Sequence, residues 1–525
     1  MLNYRCLVAA PFAAMMLSGC AVGPNFVSPP TPDVARYTPE PLTSPHPAVE
    51  PPHVASQRFI PGADIPTRWW TTFRSRPLNE LIRLSVNHNP TLQAAEAAIR
   101  VANYNALAQR GLFFPQAGIN YTPSDALQSN NMTSDPSSQT RLTLHTAQLN
   151  ISFVPDVWGA NIRAVENLDA LTEQAQFQLE AAHLALTANV VTAAIQEASL
   201  RGQIVGTERI IKIEREILDL LQKQLGAGQA AMTDVLAQQA ALAQVEQTLP
   251  PLKKQLAIQR DLLTALAGQF SADEILQKFD LKQLALPRNL PVSLPGALIR
   301  QRPDVRAAEA FMHSASAQVG VAVAARLPNF TITANPGSAA TTLAGLFTPG
   351  TYFYTVAASA TQPIFDGFTL YHKQKAAEAA LDQADALYRQ AVITAIQNVA
   401  DALRSLQADT PAVQAAIKAE LAAKDSLELI QKQLVTGLIN QATLLTAQQV
   451  YLNAVITRVQ AEAARLSDVA ALFMALGGAW PNNCPTPDWR ACIFDEAEAQ
   501  GDKRVPDGGD DFHKRAAAAP ASGVL

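Results

Sequence analysis

Charge is scarce in this chain. Of 525 residues only 16% are charged and 6% are aromatic, and the formal net charge is −5. No Lys/Arg cluster or basic surplus recommends a nucleic acid as partner. Catalytic signatures are absent as well: there is no GxSxG, no P-loop and no HExxH. The histidines (His46, His53, His88, His145, His183, His313, His372 and His513) are scattered without metal-ligand spacing. Seven methionines are present, but Met1, Met15 and Met16 lie in the first stretch, and the remainder are too few for a thioether path for copper. Four cysteines are present, of which only Cys484 and Cys492 lie beyond residue 20. Enzyme chemistry, a bound metal and a cofactor are therefore not expected.

What is abundant is alanine, glutamine and leucine, the composition of long helices packed on one another. The chain also repeats itself. Leu220-Leu221-Gln222-Lys223-Gln224-Leu225-Gly226-Ala227-Gly228 returns as Leu429-Ile430-Gln431-Lys432-Gln433-Leu434-Val435-Thr436-Gly437, at an offset of 209. Each copy reads as a long helix, a glycine-bearing turn and a returning helix, glycine tolerating the left-handed turn conformation. Asn89-Pro90-Thr91-Leu92-Gln93-Ala94-Ala95-Glu96 matches Arg302-Pro303-Asp304-Val305-Arg306-Ala307-Ala308-Glu309 at an offset of 213. Ala265-Leu266-Ala267-Gly268 echoes Ala475-Leu476-Gly477-Gly478 at 210. So steady an offset marks a duplication. The first repeat is expected over 67–291, with a tip hairpin at about 207–250. The second is expected over 292–480, with its hairpin at about 412–460.

Residues 1–19 carry Arg5 followed by the apolar run from Leu7 to Leu17, a targeting segment too short to span a bilayer. It ends in Leu17-Ser18-Gly19-Cys20, which resembles the bacterial lipoprotein signal, with Cys20 as the lipidated first residue. Ordinary secretion with an incidental cysteine is the alternative. Acyl chains on Cys20 would anchor the chain by burying CH₂ groups. Ala21 stands where an aspartate would oppose sorting to the outer membrane. Residues 20–66 are dense in proline and read as an extended strap. Trp69 and Trp70 are expected to pack at its end.

Four segments alternate strictly, as strands with two unlike faces do. They are expected at about 115–123, 141–154, 328–336 and 351–363. Ala117, Ile119 and Tyr121 oppose Gln116, Asn120 and Thr122. Tyr352, Tyr354, Val356 and Ala358 oppose Thr355, Ser359 and Thr361. Each has about the 9–11 residues that cross a bilayer as a tilted strand. A soluble sheet would also alternate, but it leaves the lipid signal unexplained. Residues 124–140 and 335–350 read as external loops. Four strands cannot close a barrel, and open edges are forbidden in lipid. The sheet must therefore be shared between subunits, and three copies would give twelve strands and an open bore.

Residues 159–226 would span roughly 100 Å as a helix at 1.5 Å per residue, and the second half is similar. The returning helix carries Val235, Leu242, Leu249, Leu256 and Leu263, interleaved with Val245, Leu252 and Leu266, a coiled-coil seam. Pro250-Pro251 is expected to kink it without ending it, and Pro411 to bend or break the second outgoing rod. Residues 271–291 and 481–499 read as small equatorial elements, and 500–525 as a disordered tail. In an oxidising compartment Cys484 and Cys492 could close a short disulfide loop, two free thiols being the alternative.

Cys20-Ala21-Val22-Gly23-Pro24-Asn25-Phe26, Trp69-Trp70, Asn89-Pro90, Arg302-Pro303-Asp304-Val305-Arg306-Ala307-Ala308-Glu309 and Gln318-Val319-Gly320-Val321-Ala322 together resemble the TolC-like outer-membrane factors, in the lipoprotein branch of OprM and the NodT-type proteins. The resemblance runs from Cys20 to about Trp480. It implies a mainly α protein with a small transmembrane β part: a homotrimeric twelve-stranded barrel, four strands per chain, continued by a periplasmic α-helical barrel. It implies passive efflux of small molecules such as drugs, with a periplasmic adaptor (membrane fusion) protein and an inner-membrane RND-type transporter as partners. An exit duct for secreted proteins and a periplasmic adaptor or spacer are the alternatives. By the same likeness the hairpin turns line the periplasmic mouth. Asp234 matches an aperture aspartate, which three copies would turn into a cation-binding ring; a first-turn acid serving the helix dipole is the plainer reading. Thr443 and Thr446 stand where the family often carries acids. Gly228, Gly437 and Leu438 are candidate adaptor contacts, with tight turning as the alternative.

Overall fold

The computed structural model describes residues 21–32, 34, 36–40, 57–63, 65–129, 139–435, 439–478, 480 and 489–494. In chain order the strands and helices are β1 (Arg58–Pro61), α1 (Arg76–His88), α2 (Pro90–Arg110), β2 (Gln116–Ser129), β3 (Gln139–Phe153), α3 (Ala160–Gly226), α4 (Met232–Glu246) and α5 (Leu249–Leu266). There follow β4 (Asn289–Val292), α6 (Pro295–Gln301), α7 (Pro303–Ala324), β5 (Asn329–Ala334), β6 (Gly337–Ala340), β7 (Tyr352–Phe353), β8 (Val356–Thr361), α8 (Thr369–Val435), α9 (Gln441–Ala475) and α10 (Trp489–Phe494).

The order helix, strands, rod, returning helix occurs twice. The two rods, α3 and α8, each have 67 residues, about 100 Å at 1.5 Å per residue. Both begin in the same way. Asp156 accepts from the Asn161 and Ile162 amides at 3.0 and 2.8 Å, and Asp366 accepts from the Leu370 amide at 2.8 Å. A carboxylate there satisfies donors that a helix start leaves free.

The sheet differs from the sequence expectation in its ends. β2 and β3 pair without interruption from Gln116–Ser152 to Ser129–Gln139. They run well into the stretch read as a loop, leaving 130–138 outside the described residues. The polar composition misled: Arg141 and Asp125 form a cross-strand ion pair at 2.5 Å, joined by Thr143 at 3.2 Å. The third strand is cut into β5 and β6 at Asn335-Pro336, because proline has no N–H to give the ladder. The fourth is cut into β7 and β8 around Tyr354 and Thr355. The second expected loop also folds, with Ser338 Oγ donating to the Leu346 carbonyl at 2.7 Å. The spatial order is β2, β3, β5 with β6, then β8 with β7. β2 is paired along one side, and so is β8.

Two apolar cores lie along the rods. The belt core holds Trp69, Trp70, Phe73, Leu78, Leu81, Ile195, Leu263, Leu290, Leu298, Leu403 and Phe473. Trp69 stacks on Phe473 at 5.3 Å, so the paired tryptophans do pack where the strap ends. A parallel pairing of β1 with β4 crosses the belt. The apical core holds Ile210, Ile217, Leu221, Val235, Leu444, Tyr451 and Val455.

The prolines behave differently in the two halves. Pro250 and Pro251 cannot donate to the Glu246 and Gln247 carbonyls, and the helix is interrupted at Gln247-Thr248. Both residues there keep right-handed helical angles, so the direction and the seam continue, as a kink would. Of the two expectations for Pro411, a bend or a break, the break does not occur: α8 runs on through it. Leu406, Thr410 and Val413 around it are buried, and that packing holds the helix across the missing bond.

α3 and α9 approach closely at Gly206, where a Cβ would lie 2.7 Å from Val455 Cγ1. Overpacking at such a contact costs about 1–3 kcal/mol. Gly206→Val is expected to lower stability by that amount in urea unfolding of the detergent-solubilised protein, and an unchanged midpoint would contradict the close approach.

Candidate functional site: the channel wall, the belt joint and the tip

The tip of the first hairpin closes by a glycine cap. The Gln229 amide donates to the Gln224 carbonyl at 2.8 Å and the Gly228 amide to Leu225 at 3.0 Å, with Gly228 at φ +71°. This is the double bond of a Schellman turn, and the left-handed angle accounts for glycine at this position. Gly228 is exposed, and a Cβ on it would meet nothing within 4 Å. Gly437 and Leu438, its expected counterparts, lie outside the described residues.

Asp234 sits in the first turn of α4, where its Oδ2 accepts from the Ala231 amide at 3.4 Å. Thr443 donates its amide to Asn440 Oδ1 at 3.0 Å, and Thr446 Oγ1 donates to the Ala442 carbonyl at 2.9 Å. Each of the three is therefore bonded within its own turn. Thr443 and Thr446 are exposed and line an open groove with Ala423, Ile430 and Val450. The two hairpins meet just beyond them, where Gln441 Nε2 donates to Gln238 Oε1 at 2.6 Å.

At the belt one joint is built twice. Asn89 precedes Pro90 and caps α2, with Oδ1 accepting from the Thr91 amide at 2.9 Å. Its Nδ2 donates to the Leu266 carbonyl at 3.1 Å, at the end of α5. Arg302 precedes Pro303, and its Nη1 donates to the Ala475 carbonyl at 2.7 Å, at the end of α9. Asp304 steadies that guanidinium at 2.9 and 2.6 Å. Beside each carbonyl the helix ends in a left-handed glycine, Gly268 at φ +74° and Gly477 at φ +85°. A Cβ on Gly268 would fall 2.5 Å from the His88 carbonyl, and one on Gly477 2.9 Å from Arg302 Cγ. The structure thus pairs Gly268 with Gly477, not with Gly478 as the sequence echo suggested. Their spacing equals the hairpin offset of 209.

The start of the strap is pinned where sheet becomes rod. The Val22 amide donates to the Trp158 carbonyl at 3.1 Å. Arg163 of α3, buried, donates to the Val22 carbonyl at 3.1 Å and to Asn25 Oδ1 at 2.6 Å. Gly23 lies against Gly320, and Phe26 stacks on His313 at 4.4 Å. Arg163 was not singled out from the sequence, where it is one arginine in a charged helical face. Cys20 itself, Cys484 and the side chain of Cys492 lie outside the described residues. No helix among the described residues is long and apolar enough to cross a membrane.

The strands end at one level. Phe113 and Phe114 stand just before β2, and Ile364, Phe365 and Phe368 just after β8. Ile364 is 91% exposed and Phe365 81%, an apolar rim left uncovered among the described residues.

The comparison with known proteins agrees with this geometry. The family model described as Outer membrane efflux protein matches residues 81–269 and again 294–478. The chain belongs to that family. It is 27% identical to the pyoverdine export outer membrane protein OpmQ of Pseudomonas putida over 427 residues, covering 80% of this chain and 89% of that protein. It is 24% identical to Nodulation protein T of Rhizobium leguminosarum bv. trifolii, covering 84% of this chain and 90% of that protein. Among solved structures the outer-membrane channel OprN superposes with a TM-score of 0.78 at 25% identity, over 88% of this chain and all of that one. The mostly helical fold of the TolC-like outer-membrane channels is thereby shown, and the break between the matched stretches falls at 270–293, between the two copies of the repeat.

The belt joint makes a direct prediction. A hydrogen bond from a charged group contributes about 1.5–3 kcal/mol, and a neutral one about 0.5–1.5 kcal/mol. Arg302→Ala is expected to destabilise the protein more than Asn89→Ala in the same urea titration. The reverse order, or no loss in either, would contradict the duplicated joint.

Proposed function

We propose that the chain is the outer-membrane exit duct of a tripartite efflux pump. Three copies join their sheets edge to edge into one twelve-stranded barrel, and their hairpins continue it as a helical tunnel across the periplasm. One observation carries the reading: a sheet with two free edges is joined end-on to rods of about 100 Å. Soluble domains have mean helices of about 11–12 residues, and rods of this length serve to cover distance.

Two features support the placement in the membrane. Membrane barrels carry an aromatic girdle at each interface, and Phe113, Phe114, Phe365 and Phe368 stand at the level where the strands end. Ala21 packs against Gly159 at that same level. Cys20 is its neighbour in sequence, so acyl chains on Cys20 would enter the lipid beside the barrel rim. The covalent lipid is the only added group the reading requires.

As a passive conduit the chain performs no catalysis. An inner-membrane RND-type transporter and a periplasmic adaptor deliver small molecules to it, the adaptor meeting the tips at Gly228, Gly437 and Leu438. Asp234, Thr443 and Thr446 line the aperture, where three Asp234 carboxylates attract cations. The purified protein in planar bilayers is expected to give discrete ohmic conductance steps, and a protein that never conducts would overturn the reading. Asp234→Ala is expected to weaken block by divalent cations added on the tip side. Unchanged block would remove Asp234 from the aperture while leaving the duct intact.

A further inference from the structure

Polar side chains on three helices meet where a coiled-coil seam should be apolar. Gln238 stands three residues after Val235 and seven before Val245, at seam spacing on α4. Glu214 stands between Ile210 and Ile217 on α3, and Gln441 opens α9. Gln238 is 0% exposed, Glu214 1% and Gln441 7%. Gln238 Nε2 donates to Glu214 Oε2, and Gln441 Nε2 donates to Gln238 Oε1 at 2.6 Å. The relay crosses from the first hairpin to the second, inside the apical core of Ile210, Val235 and Leu444.

Burial pushes the Glu214 carboxyl up to about 7, with the Gln238 amide acting the other way. Among the described residues the charged groups on the surrounding helices form no ion pair with it. On α3, Arg215 pairs with Glu246 of α4 at 2.6 Å, and Lys212 lies 3.9 Å from Glu216. Arg209 of α3 lines the cleft on the α8 side. On α4, Asp234 serves its own helix start. On α8, Lys424 pairs with Glu428 at 3.6 Å. α9 carries no charged residue before Arg458.

We propose that Glu214 is a proton-operated latch between the two hairpins. Neutral, it stays in the relay and holds α9 against α4; ionised, it leaves the apolar core for water and frees the second hairpin from the first. An ionised carboxylate in an apolar core is costly, and separation of the hairpins hydrates it. The joined state binds the proton more tightly than the separated one. The junction is therefore most stable at acid pH, weakens as pH rises from the ordinary glutamate range toward about 7, and stays weakened above it. Coupling of the latch to passage through the tip rests on the duct reading, whereas the latch itself does not.

Hydrogen exchange of the full chain in detergent tests the latch without reference to conduction. Amides in 232–246 and 441–451 are compared between the native protein and Glu214→Gln at about pH 5.5 and about pH 8. Comparison at equal pH cancels the intrinsic exchange chemistry. The native-to-variant ratio of exchange rates is expected to rise roughly thirtyfold between the two, because separation is favoured about tenfold per pH unit up to about 7, and about 1.5 of the units between the two conditions lie below that point. A ratio independent of pH would overturn the latch. Glu214→Leu, apolar at a seam position, provides a second non-ionising variant with the same expectation. Asp409 at the belt is also pushed up to about 7, by burial and by Asp468. Asp409→Asn is expected to leave the tip response as in the native chain, and its loss there would assign the response to the belt and refute the proposal.

Discussion

The unpaired backbone at the two edges of the sheet is the constraint on which the rest depends. Among the described residues β2 and β8 are each bonded along one side only. In hydrocarbon an unsatisfied N–H or C=O costs several kcal/mol, and a strand edge offers a row of them. Such a chain cannot rest in a bilayer alone. It can do so only if another copy supplies the missing partners, and a ring of copies removes every edge. In this account the trimer is a condition for membrane residence before it is a feature of transport.

In the proposed ring the rods would take their placement from the sheet. Each begins directly beneath the sheet, capped by Asp156 or Asp366. Each returning helix ends at a joint made with the residue before a proline, Asn89 in one half and Arg302 in the other. A duplicated joint gives two returning runs of equal reach, 232–266 and 441–475. The distance from belt to tip is thus set by two short contacts and the two returning runs that end at them.

Much of this was legible in the sequence. Rod lengths, the first hairpin turn and the packing role of Trp69 and Trp70 followed from periodicity and from where glycine sits. Strand ends did not, because the Asp125–Arg141 pair and its hydroxyl neighbours have the composition of a loop and act as strand only once paired across the hairpin. Pro411 does not break its rod because helix-breaking is a local tendency, and buried neighbours on both sides override it. The echo around Gly268 and Gly477 was visible but slipped by one, since two adjacent glycines cannot be told apart without the group each one packs against. The relay of Glu214, Gln238 and Gln441 did leave a trace, as polar residues at seam positions. The trace could not say which partner each would find, because the partners lie on separate helices.

The central claim is that one chain holds only part of a pore wall. Native mass spectrometry of the full-length protein, extracted from outer membranes in mild detergent, tests it most directly. The account predicts a single species with the mass of three lipidated chains. A monomer that stays soluble and intact on removal of the detergent would contradict it.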